Sequence, residues 1–465
     1  MLTYQDYEQA VASGTAEDFL LRSIAEHKSS ELYKTAVTAD LYDKQRNKTI
    51  NEYVQKIFTL SGLPVENYTV SNSKIASNFF HRLNTQRCAY SLGNGVTFSE
   101  HIEKKLENGV MVSTDTTKQR LGQKFDRDVY IWAYMALIHG VSFGYWAVNR
   151  LHIFEVTEFV PLWDEMHGTL RAGIRFWQIA DDKPLVVELY TEDGIYHYIS
   201  NRQGGKLRLV EESPKSAYRI TTRKAPIDDA PEVVGEENYG GKLPIVPLWG
   251  SQLRQSTLVG MQQGIDAYDL IRSGFANDLR DVSQIYWILE NYGGMRPGEL
   301  DRFREQLMLL HIANVDTAQG GKVTPHTQEI PYEARETFLT GIRADIYESF
   351  GGLDVHTVAA GATNDHIDAA YQPLDENADD FEYQLIEAIQ QILSLMDIED
   401  TPVFKRNRIS NQREQVDMVA TEVGMGVLDT ETALTKLPNI SPDEVAGILS
   451  RLDQADSDRF KEDDE

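Results

Sequence analysis

The sequence contains a single cysteine, Cys88, in 465 residues. One thiol cannot form an internal disulfide, and it cannot build a cysteine-rich zinc site. It suits a reducing compartment. Cys88 lies beside Ala89 and Tyr90 in a stretch with helical spacing, so we expect a small buried hydrophobic side chain and not a nucleophile.

Several other signatures are missing as well. No apolar run approaches the ~18 residues that a membrane span requires, so we expect no membrane partner. No G-x-x-x-x-G-K-[ST] motif is present, which excludes a P-loop of the chain's own. The 11 histidines form no H-E-x-x-H motif. We therefore expect no cofactor and no metal site, and the sequence offers no catalytic constellation that would indicate an enzyme.

Positive charge is scarce: 72 acidic residues face 45 basic ones, which gives a net charge of −27. A surface of this sign repels nucleic-acid phosphates, which excludes a protein that grips DNA over its whole face. The charge suits a protein kept soluble by repulsion. It equally suits a surface that DNA passes without binding to it. Composition alone does not distinguish a role in solubility from a role in passing DNA.

One motif resembles a catalytic element. Gly140-Val141-Ser142-Phe143-Gly144 matches the nucleophile elbow G-x-S-x-G. The elbow requires a strand entering and a helix leaving, whereas here a predicted helix enters and a strand-like run leaves. A serine hydrolase that uses Ser142 stays open as an alternative only if that hydroxyl is exposed beside a histidine.

The strongest pattern is an apolar stripe that predicts one long helix from Ser256 to Glu290. A stripe of this length needs another helix along it. Gly293-Gly294 and then Pro297 end the pattern. The stripe residues step by threes and fours: Leu258, Met261, Ile265, Tyr268, Phe275, Leu279, Val282, Tyr286 and Leu289.

A small insert and two further helices follow. Met295 to Ile330 reads as a compact α/β piece, with a helix at Glu299 to Leu310 and a strand at Ile312 to Val315. A helix with Pro331 at its first position aligns Phe338, Ile342 and Ile346 and ends at Gly351-Gly352. After a small-residue loop, a third long helix begins near Ile367, and Pro373 should kink it. The fold class is therefore α+β, mainly helical.

The remaining chain divides by its periodicity. Helical spacing predicts helices over Ala16 to Asp40, Asn51 to Leu60, Ile75 to Leu92 and Asp126 to Ile138. A period of two predicts strands around residues 171–179, 184–190, 195–199 and 206–210. Ala225 to Lys242 reads as a loop. Asp429 and Ser441 are predicted helix N-caps near the C-terminus.

The order of these features resembles the portal proteins of tailed bacteriophages, particularly those of siphophages that infect Gram-positive hosts. Asn78-Phe79, leading to Tyr90-Ser-Leu-Gly-Asn-Gly-Val-Thr-Phe98, resembles the family's early helix and the turn after it. His139-Gly140 followed by Gly144-Tyr145 resembles its helix-to-strand junction. Ile265-Asp266-Ala267-Tyr268-Asp269, with Ser273 and Asn277-Asp278-Leu279, is the most family-like stretch. Arg406-Asn407 and residues 428–438 resemble the family's crown.

The resemblance implies a ring-forming portal fold. Its parts would be a wing (1–250), a first stem helix (251–290), a clip (291–330) and a second stem helix (331–351). A tunnel loop (352–366), a kinked long wing helix with a strand (367–410), a helical crown (411–452) and an acidic tail (453–465) would follow. The family often carries a Ser-Gly pair where the third long helix begins, whereas this chain has Gly361 to His366, which shifts the loop boundary.

The resemblance also implies a function. Such proteins form an annular homo-oligomer, usually of twelve subunits, at one capsid vertex, through which double-stranded DNA is packaged and ejected. The implied partners are the large terminase, a head-completion or adaptor protein, and the major capsid and scaffolding proteins. The implied location is the virion, with assembly in the host cytoplasm. A non-annular coiled-coil adaptor protein is the second alternative that the residues leave open.

The resemblance and the helix pattern assign site residues to three groups. The tunnel loop nearest DNA would contain Val355, His356, Thr357, Val358, Ala359, Ala360 and Gly361. Stem packing and oligomer contacts would involve Leu258, Met261, Ile265, Tyr268, Phe275, Leu279, Val282, Phe338, Ile342 and Ile346. Partner docking on the clip would involve Arg302, Arg304, Asn314, Asp316, Gln319 and Lys322.

Overall fold

Helices and strands occupy largely separate parts of the chain in an α+β arrangement, as the periodicity of the sequence predicts. The structure is a computed structural model. It describes all residues except 1, 59–62, 67–70, 100–101, 108–109, 148–149, 201–204, 224–231, 282–285, 291–297, 299–321, 327–331, 358–363, 409–411, 438–444, 446, 450 and 452–465.

The helices occur mainly in the first and last thirds of the chain. Their bounds are α1 Tyr4–Ala12, α2 Ala16–Ser29, α3 Glu31–Asp43, α4 Lys48–Glu52, α5 Phe79–Leu92, α6 Thr116–Leu121, α7 Phe125–His139, α8 Leu258–Asp281, α9 Tyr332–Phe350, α10 Asn364–Ser394, α11 Gln412–Gly424 and α12 Thr430–Lys436. None of the described helices is long and apolar enough to cross a membrane.

The strands occupy mainly the middle of the chain. Their bounds are β1 Lys56–Phe58, β2 Pro64–Glu66, β3 Val96–Phe98, β4 Ile102–Glu107, β5 Val110–Asp115, β6 Val141–Ala147, β7 Arg150–Phe154, β8 Phe159–Trp163, β9 Leu170–Trp177, β10 Leu185–Thr191, β11 Gly194–Ser200, β12 Arg208–Leu209, β13 Lys215–Ser216, β14 Arg219–Arg223, β15 Glu232–Glu237, β16 Ile245–Trp249, β17 Tyr286–Glu290, β18 Lys322–His326 and β19 Pro402–Phe404.

Two antiparallel sheets form the centre of the β region. One has the order β12-β11-β10-β9-β8, and β13 also pairs with β11. The other has the order β16-β6-β7. The predicted strands around residues 171–179, 184–190, 195–199 and 206–210 are confirmed as β9 to β12. Leu189 and Tyr190, adjacent in β10, lie in two different cores, so this part of the sheet is covered on both faces.

The largest core surrounds α7, whose apolar face is buried completely. Trp132 and Ala136 lie in this core with Phe143 and Trp146 of β6. A Cβ on Gly144 would lie 2.8 Å from the Trp132 ring, so glycine is required there by close packing. Gly140 ends α7 with a φ of +88°, which confirms the predicted helix-to-strand junction.

The chain divides into two compact units. The main unit contains residues Met1–Gln45, Asn78–Gln262 and Tyr347–Glu465. The second unit contains Arg46–Ser77 and Gln263–Ile346. The division falls inside α8 and α9, so each of these helices contributes residues to both units.

The predicted helix from Ser256 to Glu290 is too long at both ends. Residues 251–257 are a turn region, α8 covers Leu258–Asp281, and Tyr286–Glu290 is a strand paired with Lys322–His326. The run Tyr-Trp-Ile-Leu is rich in aromatic and β-branched residues, which favour a strand once a partner strand is available. Tyr286 and Leu289 therefore continued the stripe only by coincidence of spacing.

Several predictions in the N-terminal third were also wrong. Ala16 to Asp40 is two helices separated at Ser30, whose hydroxyl accepts a hydrogen bond from Tyr33 N–H and so caps the second one. Asn51 to Leu60 contains the end of α4 and then strand β1. The helix predicted to start at Ile75 starts at Phe79, because the backbone amides before it bond elsewhere.

Outcomes near the C-terminus are mixed. The loop predicted over Ala225 to Lys242 contains strand β15. The third long helix begins at Asn364, three residues before Ile367, and Pro373 lies inside it as predicted. Asp429 caps α12 by accepting a hydrogen bond from Thr432 N–H at 3.2 Å, as predicted. Ser441 lies outside the described residues.

Candidate functional site

Helices α8 and α9 pair in antiparallel fashion within the second unit. Near the start of α9, the Tyr332 ring lies 5.6 Å from the ring of Phe275, and Arg335 forms an ion pair with Asp278. Near the other end, a Cβ built on Gly264 would lie 3.1 Å from Cγ1 of Ile346. The small residue lets the two helices approach closely there.

The stripe residues of this helix pair divide by exposure. Leu258, Met261, Ile265 and Ile346 are buried, and Tyr268, Phe275 and Ile342 are half-buried. Leu279 is 57% exposed and Phe338 is 56% exposed, although both were predicted to pack in an interface. Val282 lies outside the described residues. A single chain therefore covers the first part of the stripe and leaves Leu279 and Phe338 in solvent.

The solvent-facing side of α9 carries apolar side chains between acidic ones. A cavity of about 470 Å³ adjoins it. Exposed apolar side chains around a cavity are typical of surfaces that a partner covers. Its described lining is Glu333, Ala334, Thr337, Phe338, Gly341, Ile342 and Asp345.

A two-stranded ribbon follows α8 and precedes α9. Strands β17 and β18 pair antiparallel, with Tyr286 opposite His326 and Glu290 opposite Lys322. This ribbon brings together the two ends of residues 291–321, the part of the predicted clip (291–330) that lies between its two strands. Lys322, one of the predicted docking residues, begins β18. Arg302, Arg304, Asn314, Asp316 and Gln319 lie outside the described residues, as do the insert's predicted helix and strand.

A tight turn follows α9. Gly351 has a φ of +65°, and its N–H donates to Glu348 O at 3.0 Å, while Gly352 N–H donates to Tyr347 O at 2.9 Å. A Cβ on Gly351 would lie 1.8 Å from Nδ2 of Asn377. Both the backbone conformation and the space therefore require glycine here.

Two adjacent residues of α5 fix the chain beyond this turn. Arg87 donates to Phe350 O at 2.9 Å, and its guanidinium lies 4.3 Å from the Phe350 ring centre. Burial lowers the Arg87 pKa to about 10. Gln86 both donates to Leu353 O and accepts from Leu353 N–H, each at 2.9 Å. The backbone that enters the predicted tunnel loop is thus held by side chains that no sequence motif identified.

The predicted tunnel loop is described over its first half. Val355–Thr357 forms one turn of 3-10 helix, and Asp354 accepts a hydrogen bond from His356 N–H at 3.1 Å. Val355 is 47% exposed and His356 is exposed. Val358, Ala359, Ala360 and Gly361 lie outside the described residues. Because α10 starts at Asn364, the loop ends before the predicted boundary at 366.

Acidic residues spaced along α10 hold the segment that follows β19. Arg406 bonds Asp375 at 3.0 Å and Glu382 at 2.9 Å and 3.1 Å, and it also contacts Asp379. Arg408 donates to the Tyr90 hydroxyl at 2.8 Å. Burial opposes ionisation of Asp375, but hydrogen bonds from Tyr90 and Arg408 outweigh it and hold the pKa of that carboxyl below its ordinary value.

Ser142 is a structural residue. Its side chain is completely buried in β6, and its hydroxyl donates to Trp132 O at 2.7 Å. The Trp132 indole N–H in turn donates to Ser142 O at 3.2 Å. A nucleophilic serine must reach substrate and a base. The hydrolase alternative, which required an exposed Ser142, is therefore wrong.

Cys88 is fully buried, as predicted, and burial raises the pKa of its thiol well above the ordinary value. A thiol held protonated is a poor nucleophile and a poor metal ligand.

One group of ligand-type side chains lies within metal-binding distance in the described part of the chain. Asp40, His139 and Glu155 each place one such atom within 4.8 Å of the others. Nε2 of His139 lies 2.9 Å from Oδ1 of Asp40, and the buried Nδ1 has no hydrogen-bond partner among the described residues. A metal on Nε2 would put the proton on Nδ1, buried without an acceptor. The geometry favours a hydrogen-bonded junction between α3 and α7.

Comparison with known proteins agrees with this architecture. A family profile described as phage portal protein, SPP1 Gp6-like, matches residues 23–464. A portal protein of Clostridium phage phiCD119 is 30% identical over 216 residues, which are 44% of this chain and 48% of that protein. The alignment thus spans about half the length of that relative.

A second relative aligns over more of the chain. The portal protein of Bacillus phage SPP1 is 23% identical over 429 residues, which are 85% of this chain and 80% of that protein. Because the family profile covers nearly every residue from 23 onward, the chain belongs to the SPP1 Gp6-like family of phage portal proteins.

Proposed function

We propose that the chain assembles into an annular homo-oligomer, of about twelve copies, at one capsid vertex, and that double-stranded DNA passes through this ring during packaging and ejection. In this proposal α8 and α9 are the stem helices, and the main unit supplies the wing and the crown. The ring would belong to the virion and assemble in the host cytoplasm beside the major capsid and scaffolding proteins.

One observation carries the proposal beyond family membership. The paired helices α8 and α9 leave Leu279 and Phe338 more than half exposed, and Phe338 also lines the cavity on α9. Large apolar side chains left in solvent favour burial against another surface. A head-to-tail contact between identical copies closes into a ring when its rotation fits, so neighbouring stems are the occupants that this proposal requires.

The test is the assembly state of two charged variants. Leu279→Asp and Phe338→Asp would each bury an unpaired carboxylate in the ring, at a cost of several kcal/mol per copy. We expect negative-stain images and mass measurement to show rings for the native chain and folded monomers for both variants. Met166→Asp is the matched control, because Met166 is 85% exposed on the turn between β8 and β9. Intact rings from both stem variants would reject the interface, and a native dimer would favour the coiled-coil adaptor.

The insert, residues 291–330, is proposed as the clip, to which the large terminase and then a head-completion or adaptor protein dock. The β17–β18 ribbon supports this assignment because it brings together the two ends of residues 291–321, between the two helices in the chain. Replacing residues 291–321 by a short Gly-Ser turn should leave rings intact and abolish binding of both partners. Unchanged binding of both would reject the assignment.

The chain has no P-loop, so in this proposal the energy for packaging comes from the terminase. Its net charge of −27, repeated about twelve times, would present roughly −324 to the DNA. A channel of this charge would make few contacts with DNA phosphates. Few contacts would let DNA slide, because each Lys or Arg that binds a phosphate strengthens binding and slows the movement. The residues of the predicted tunnel loop, small or uncharged except His356, fit this requirement.

A further inference from the structure

Residues 73–77 lie along α8 as an extended segment held by a row of polar side chains. Ser77 N–H donates to Asp269 Oδ1 at 2.9 Å, Ile75 N–H to Ser273 Oγ at 3.0 Å, and Ser73 N–H to Asn277 Oδ1 at 2.6 Å. All three acceptor residues are at most 3% exposed. The segment and the acceptors belong to the same unit.

The spacing of the row explains its fit. Four residues of an α-helix advance by roughly 6 Å, and two residues of an extended chain advance by roughly 6.5 Å. Acceptors at i, i+4 and i+8 on α8 therefore meet every second amide of a chain running in the opposite direction. Of the two residues between the bonded ones, Lys74 is exposed and Ala76 is half-buried. The row on α8 thus contacts this segment mainly through its backbone amides.

Asp269 also bonds the beginning of the segment Arg46–Ser77, which belongs to the second unit. Its second oxygen accepts a hydrogen bond from Asn47 Nδ2, which also donates to Ser77 O at 3.1 Å. One turn earlier, Asp266 accepts from Thr49 Oγ1 at 2.8 Å. Residues 47 and 77 begin and end the part of the chain that packs with α8, so one carboxylate closes this loop.

We propose that Asp269, Ser273 and Asn277 form a clasp that holds residues 73–77 as a strap on α8, and that the strap opens as one unit while α8 stays folded. Side-chain-to-backbone hydrogen bonds supply its attachments, and Ile75, its one large apolar residue, is only half-buried. Segments held in this way open locally more easily than packed helices do. An open strap would expose three amides and the polar row of α8 at the same time.

Amide hydrogen exchange on the full chain, with fragmentation that resolves single residues, tests the proposal. Ser273→Ala and Asn277→Ala each remove one acceptor, so we expect the protection of amides 73, 75 and 77 to fall together, by about three- to tenfold. The amides of α8 should keep their protection. Gln263→Ala, at an exposed position of the same helix, is the matched control and should change none of the three.

Three outcomes would overturn the proposal. The first is an unprotected strap in the native chain. The second is loss of protection at the nearest amide alone, which would mean independent contacts. The third is exchange of the strap and α8 as a single unit. Circular dichroism of each variant identifies any global unfolding, and in that case Ser273→Cys and Asn277→Leu replace the variants, because both fill the space without a strong acceptor.

A swapped pair tests the role of Asp269 separately. Asn47→Asp sets two carboxylates against each other, and Asp269→Asn sets two amide groups against each other, so each single variant should deprotect amide 77. In the double variant, the amide nitrogen introduced at position 269 can donate to the new carboxylate at position 47, while the amide oxygen still accepts from Ser77. The carboxylate at position 47 can no longer donate to Ser77 O as Asn47 Nδ2 does, so we expect partial recovery, to a protection of amide 77 above that of either single variant. Protection of amide 77 no higher than in Asn47→Asp alone would show that Asp269 does not act as the clasp.

Discussion

At the residue scale, individual polar side chains fix the backbone wherever the chain turns without a regular partner. Arg87 and Gln86 bond the backbone of Phe350 and Leu353 directly after α9. Burying a guanidinium or an amide is unfavourable unless its hydrogen bonds are made. These contacts therefore specify one path for the chain into the predicted tunnel loop, a path that apolar packing alone would leave less defined.

His27 gives a prediction at the same scale. The ring is 4% exposed, and Nε2 lies 2.7 Å from Val156 O. Burial lowers the pKa of His27 below its ordinary value, although the Val156 carbonyl opposes the shift. The unfolded chain therefore binds a proton more readily than the folded chain as the pH falls below about 6.5, and folding stability falls with it.

We expect His27→Gln, which keeps a donor for Val156 O, to lessen this acid sensitivity. The measurement is the free energy of unfolding by urea between pH 7.5 and pH 5. The difference between the native chain and the variant should move in favour of the variant as the pH falls. Parallel curves for the two proteins would show that His27 does not carry the effect.

At the element scale, the ends of helices decide where the chain can turn. Gly351 ends α9 in the left-handed region, and a side chain there would also meet Asn377. Arg406 and Arg408 fix the segment after β19 onto α10 through carboxylates spaced along one side of that helix. Neither the turn at Gly351 nor the ion pairs of Arg406 and Arg408 depend on the apolar residues from which the helices were predicted.

Gly351→Ala should destabilise the chain by about 1–3 kcal/mol, because it combines backbone strain with a steric clash. Gly274→Ala is the matched control. Gly274 lies inside α8 with no atom within 4 Å of a built Cβ, so alanine there should stabilise by up to about 1 kcal/mol. Urea unfolding measures both. Equal effects at the two positions would mean that the turn after α9 is not constrained.

A second element-scale prediction concerns the proposed tunnel loop. Val355 is 47% exposed and Val358 follows it in the same loop. Substituting both with tryptophan should narrow the channel, so DNA filling of capsids should fall at least tenfold while rings and empty capsids still form. Tryptophan at exposed Ile179, far along the chain in the turn between β9 and β10, is the control. Normal filling by the double variant would place the loop away from the path of DNA.

At the scale of the whole molecule, net charge opposes assembly. Copies that each carry −27 repel one another, and the proposed apolar contacts between stems must overcome that repulsion. Salt shortens the range of the repulsion from roughly 10 Å at 0.1 M to roughly 3 Å at 1 M. Apolar contacts between stems, by contrast, do not depend on this screening.

We therefore expect the ring fraction at fixed protein concentration to rise between 0.05 M and 0.5 M NaCl, as measured by mass photometry. Repeating the series with Leu279→Asp checks that the species being formed uses the stem. A ring fraction that falls with salt would show that ion pairs between copies, and not apolar contacts, hold the assembly.

The sequence by itself determined the class of fold, the family and many of the helices and strands. The period-two runs that became β9 to β11 place alternate residues such as Ile174 and Leu189 in one core, and Gly140 and Gly351 end helices with a positive φ that favours glycine. These features are local, so periodicity and turn chemistry reveal them. The resemblance to portal proteins rested on the order of such local features, and the family profile confirms it.

Tertiary structure decided what local patterns could not. Tyr286 to Glu290 became a strand because Lys322–His326 lies beside it, and Ile75 left its predicted helix because its amide bonds Ser273. Arg87 and Gln86 bond the backbone of Phe350 and Leu353, which are more than 260 positions away in the sequence. Spacing along the chain records which residues share a face, but hydrogen bonds to distant segments appear only when the fold brings those segments together.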